Sequence, residues 1–168
     1  MNHPERCFQE QWERIERLIK LTQALDHQAA CPGLTYYDLV VLSCQAMWSF
    51  KDWVLNDPDF GAADISALKE DIHNSKPLLI CADFANGTKH FRLNSPKTDF
   101  AISDRTGIHV DSGKGIFQEF IYLISVDQQD SLFGIESRDF LALCRTAWES
   151  IVNTHHLSEV VARRPNEA

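Results

Sequence analysis

Phe8, Trp12, Ile15, Ile19 and Thr22 recur at helical steps, while Glu10, Glu13, Arg17 and Lys20 take the other side. That period predicts an amphipathic helix over about 4–27, stopped by the "CPG" at 31–33. A second helix is predicted from Thr35, where Thr35 and Asp38 have the spacing of a capping box, to about Leu55. Its run "DLVVLSCQAMWSFKDWVL" is apolar nearly all round, which places it centrally in a bundle, with one polar stripe of Asp38, Gln45 and Asp52. A short third helix is expected over about 63–74. The "SKP" that follows breaks it, because a residue preceding proline disfavours helix. A fourth helix starts near Pro77 and ends no later than Pro96.

Beyond Pro96 the period changes. "TDFAIS", "TGIHV", "IFQEFIYLISV" and "SLFGI" are β-prone runs separated by "DRTG", "DSGKG" and "DQQD", each with turn chemistry. They predict an antiparallel meander of three or four strands over about 97–135, with 117–126 read as strand rather than buried helix. Ser137 is expected to cap a last helix over about 137–157, along which Phe140, Leu143, Cys144, Ala147, Trp148, Ile151 and Val152 form a regular stripe. The fold class is therefore mainly α, a bundle of four to five helices (about 4–93 and 137–157) with a small β-meander inserted before the last.

A chain of 168 residues is expected to form one domain with a substantial core. Hydrophobic residues at 44% and charged residues at 24% match an ordinary globular composition. A net charge of -8 and a pI near 5.3 argue against bulk coating of DNA or an anionic membrane. The start lacks a signal-peptide pattern and no apolar run is long enough to span a bilayer. The five cysteines are scattered, with no CxxC pair, so buried free thiols in the cytoplasm are the expectation.

The polar string "DFANGTKH", Asp83 to His90, follows the apolar "PLLICA". On a helix Asp83, Asn86 and His90 share one face, with Lys89 beside them. Asp83 and His90 would stand about 10 Å apart along the axis, so each needs a partner elsewhere. Lys51, Lys89, a tryptophan N–H or the second-helix stripe ending in Asp52 could supply one for Asp83. His90 with Asn86, Lys89, Asp83 and Asp52 is the candidate acid/base cluster. Against it stands a satisfied polar network holding the second and fourth helices in register. Other motifs carry less. Glu70 and His73 form a single ExxH pair, whereas di-metal bundles need two, and no metal or cofactor is called for. "GIHVDSGKG" departs from phosphate-loop spacing and reads as a turn. His155 and His156 suit a helix C-terminus.

"KDW" late in one helix, then "DFANGTKHF" some thirty residues on, resembles a group of uncharacterised bacterial proteins related to HEPN helical bundles. The resemblance covers Thr35 to about Leu93. It implies a HEPN-like bundle and a homodimer, either a non-catalytic nucleotide-binding or scaffold module or a metal-independent ribonuclease of toxin or phage-defence type, with RNA or a nucleotide as the ligand expected. The family's ribonuclease signature has an arginine four to six residues before its histidine. None stands there before His90, and "RTGIH", Arg105 to His109, is expected to lie in a β-hairpin rather than on a bundle helix. A ligand-binding or interaction module is thus the expectation, with a ribonuclease using His90 as the alternative.

Overall fold

The computed structural model describes residues 8–24, 35–57, 65–87, 96–111, 114–124 and 127–157, the strands by backbone alone except at Ala101 and Leu123. Among them run α1 (Phe8–Ala24), α2 (Tyr36–Leu55), α3 (Ile65–Asn74), α4 (Lys76–Gly87), β1 (Ala101–Asp111), β2 (Lys114–Ile124) and α5 (Ser137–Thr154). The chain is mainly helical, as the apolar periods require. None of the described helices is long and apolar enough to cross a membrane.

The capping box that opens α2 is present in full. Thr35 accepts from the Asp38 backbone N–H at 3.1 Å, and the Asp38 carboxylate accepts from the Thr35 N–H at 2.8 Å. The Thr35 N–H, and then the Thr35 hydroxyl donating to the same carboxylate at 2.7 Å, hold the Asp38 carboxyl below its usual range. As its composition demands, α2 is central, packing on α1, α4 and α5. Phe50, fully buried, is met edge-on by Trp148 at 4.9 Å between ring centroids, with Phe8 and Trp12 at 6.1 and 5.3 Å. The Trp148 indole N–H donates to the Met47 carbonyl at 3.1 Å, so the buried ring leaves no polar atom unsatisfied. Gln11, also buried, donates to the Ala46 carbonyl at 2.9 Å and the Ser49 hydroxyl at 2.8 Å, fixing α1 on α2.

Of two helix starts, that of α4 falls where expected and that of α5 is capped differently. The α3–α4 break is the single residue Ser75, and Lys76 is already helical. Pro77 sits in the first turn, where no intrahelical N–H is needed. The cap of α5 is Glu136 rather than Ser137, its carboxylate accepting from the Arg138 N–H at 3.0 Å. Ser137 is turned inward instead. Its hydroxyl lies 2.9 Å from Glu136 Oε1 and 2.8 Å from Tyr36 Oη, and the Tyr36 hydroxyl donates to the same Glu136 oxygen at 2.6 Å. The starts of α2 and α5 are thereby joined.

The β segment is a two-stranded antiparallel hairpin, with Ala101 opposite Ile124 and Asp111 opposite Lys114. Strand β2 covers most of the run expected as strand. The expected turn "DRTG" lies inside β1, because eleven paired positions outweigh local turn propensity. "SLFGI" is turn rather than strand, and only its end meets β2: Leu123 donates to the Ile135 carbonyl at 3.0 Å and accepts from Gly134 N–H at 2.7 Å. Gly134 has φ +74°, a value glycine adopts without steric cost.

Truncating Trp148 to alanine is expected to cost about 3–5 kcal/mol, through lost transfer free energy and the cavity left behind. A urea melt showing less than about 1 kcal/mol would mean that α5 does not depend on this contact. Burial, reinforced by the bond to Glu136, pushes the Tyr36 phenol above its usual value of 10.0. The fold therefore favours the protonated form, and this contribution is complete below about pH 10 and lost as pH rises past it. A stability–pH profile should show that alkaline loss in the native chain and a shallower one in Tyr36→Phe.

Candidate functional site

Asp83 lies on the buried side of α4, with 4% of its surface exposed. A carboxylate taken from water needs donors, and here they come from the chain that follows the helix. Lys97 N–H donates to Oδ1 at 2.8 Å, while Thr98 N–H at 2.6 Å and the Thr98 hydroxyl at 2.8 Å donate to Oδ2. Among the described residues, the expected partners on the second helix, Lys51 or a tryptophan N–H are not the donors seen to hold it, and Lys89 lies outside those residues. Two successive N–H groups match the two oxygens of one carboxylate, a fit that a single lysine cannot reproduce.

The grip fixes where Lys97 stands. Its ammonium lies 5.8 Å from the centroid of the Trp48 ring on α2, and Lys51 places a second ammonium 4.1 Å from the same centroid. Trp48 is buried, at 8% exposure, whereas Lys97 is exposed and Lys51 half-buried. The motifs "WSFKDW" and "DFAN" thus meet, through a residue that neither contains. Each cation gains from the ring's negative face, by about 0.5–1 kcal/mol at exposed sites, but the two ammoniums repel one another. A bridging anion would relieve that repulsion.

Of the other candidates, Asp52 is exposed and lies 3.9 Å from Lys51, its neighbour on α2. It is not among the groups that bind Asp83. Asn86 is half-buried near the end of α4, and Lys89 and His90 lie outside the described residues. Sequence reasoning missed Lys97 altogether. Its contribution begins with a backbone N–H, which has no side-chain signature.

Three other constellations resolve into structure. Glu70 and His73 are exposed, with His73 Nδ1 2.6 Å from the Lys69 carbonyl, and among the described residues no group of side chains is arranged to hold a metal. His155 does end α5, its N–H donating to the Ile151 carbonyl, and its Nε2 lies 2.8 Å from an Asp71 oxygen on α3. Cys44, Cys81 and Cys144 are free, buried thiols. The Cys81 thiol and then burial raise Cys44, while burial leads for Cys81 and Cys144, so all three stay protonated and unreactive. A recess of about 330 Å³ between α1 and the end of α2 is lined by Glu10, Gln11, Glu13, Arg14, Arg17 and Trp53, a surface of mixed charge.

Asp83→Ala strands three donors and is expected to destabilise the chain by roughly 1–3 kcal/mol or more in denaturant melts. It should also free Lys97 from Trp48. An unchanged melting midpoint would show that the grip is not needed for the fold. Comparison with protein-family models, with curated proteins and with solved structures finds no match.

Proposed function

We propose that the chain is a non-catalytic ligand-binding module of HEPN-like type that takes a phosphate-bearing ligand, a nucleotide or RNA, beside Trp48. The observation that carries this reading is the pair of ammoniums, Lys51 and Lys97, converging on one indole. In a chain of net charge -8 such a pair concentrates positive charge locally without a bulk basic surface. The role of Asp83 also favours binding over acid/base work. Its two oxygens hold three donors, and it acts by positioning Lys97 rather than by moving a proton.

The reading is tested by titrating ATP and a short single-stranded RNA at low salt into the native chain, Lys51→Glu and Lys97→Glu. Each substitution should weaken binding by about tenfold or more, and binding should fall with added salt. Because Asp83 holds Lys97 through its backbone N–H, Lys97→Glu should leave stability nearly unchanged. Total RNA incubated without metal should remain intact. RNA cleavage that His90→Ala abolishes would overturn the reading in favour of the ribonuclease.

A further inference from the structure

Trp48 is poorly placed to act as a stacking platform. A base stacks on an exposed aromatic face, whereas this indole is 8% exposed and belongs to the hydrophobic core. Lys51 and Asp52 follow it by three and four residues on α2, so both border it on one side of the helix. The Lys51 ammonium stands 4.1 Å from the ring centroid. That of Lys97, a residue held through its backbone by Asp83, stands 5.8 Å from it. The site therefore offers a ligand positive charge and almost no ring surface. The two ammoniums differ in availability. The Asp52 carboxylate lies 3.9 Å from Lys51, while its own side chain is 64% exposed and not fixed by packing. Asp52 is thus a resident anion on one of the two cations.

Resting on the binding reading above, we propose that this site selects a chain of phosphates, inorganic or carried by a nucleotide, without reading the base, and that Asp52 is the internal anion such a chain displaces from Lys51. A single phosphate is satisfied by Lys97 alone, which has no carboxylate neighbour of this kind on the ring. A chain of two or three phosphates engages both ammoniums. Their separation cannot exceed the sum of their distances to the one centroid, which adjacent phosphates span. The second contact is then intramolecular and gains from the high effective concentration of a linked group. Displacing Asp52 costs little, because an exposed ion pair is weak, but that cost falls on the ligand that needs Lys51. The preference is therefore for phosphate number, set by two cations and moderated by one carboxylate.

Titrations of the full chain at low salt, without divalent cations, compare inorganic tripolyphosphate with ATP, GTP, CTP, UTP, AMP and adenosine. The four nucleoside triphosphates should bind within about threefold of one another, and tripolyphosphate at least as tightly, since stacking adds nothing. AMP should bind about tenfold or more weakly than ATP, because it engages one ammonium of the two, and adenosine should not compete. Asp52→Asn should tighten tripolyphosphate by about twofold or more, the scale of an exposed ion pair, and AMP by less. Circular dichroism confirms that this variant keeps its helices. Competition by adenosine, or a preference of about tenfold or more for one base, overturns the inference and leaves the binding reading standing. AMP binding as tightly as ATP does the same. Tripolyphosphate binding unchanged in Asp52→Asn overturns the part given to that residue. If neither ATP nor tripolyphosphate binds, the inference and the binding reading fall together.

Discussion

The apolar circumference of α2 is the constraint from which the rest follows. A helix that is hydrophobic on every side cannot face water, so α1, α4 and α5 must surround it. Phe50 shows how complete that enclosure is, with aromatic rings from α1 and α5 meeting it on different sides. The polar atoms within this shell are correspondingly few, and each has a task. Gln11 and Trp148 both donate to backbone carbonyls of α2, at Ala46 and Met47, so the flanking helices are registered against the central one by hydrogen bonds that apolar packing alone would not specify.

Carboxylates, buried at Asp57 and Asp83 and half-buried at Glu136, serve as joints between segments distant in the chain. Asp57 accepts from the Phe8 N–H at 3.1 Å, a negative group at the start of α1 supplied from the end of α2. Glu136 does the same for α5 while holding Tyr36. Asp83 clamps residues 97–98 and so directs the chain from the end of α4 toward the hairpin. In each case the acceptor is a side chain and at least one donor is a main-chain N–H. That division explains what could be read in advance.

Local chemistry was legible. The Thr35–Asp38 capping box, the encircling apolar surface of α2 and the stripe through Phe140, Cys144, Trp148 and Ile151 depend on residues close in sequence, and each appears where its pattern puts it. Leu143, on the same stripe, is 38% exposed, because the stripe drifts around the helix and its edge leaves the core. Long-range main-chain donors were not legible. Lys97 and Thr98 look like ordinary loop residues, and only the fold reveals that Asp83 holds both. The hairpin was legible in kind but not in count. Turn-forming residues within "DRTG" are tolerated in a strand once a partner strand satisfies the backbone on one side.

The fate of Asp83 bears on how a polar string after an apolar run should be weighed. Such a string invites a catalytic reading because its groups can share a helix face. Burial alters the balance. A carboxylate at 4% exposure that accepts from three donors is committed to geometry, and the chemistry it makes available is that of the residue it positions. Here that residue is a lysine brought to a tryptophan that already bears another lysine. Two cations on one ring are favourable to the indole and unfavourable to each other. Part of that cost is offset within the chain, because the Asp52 carboxylate lies 3.9 Å from Lys51.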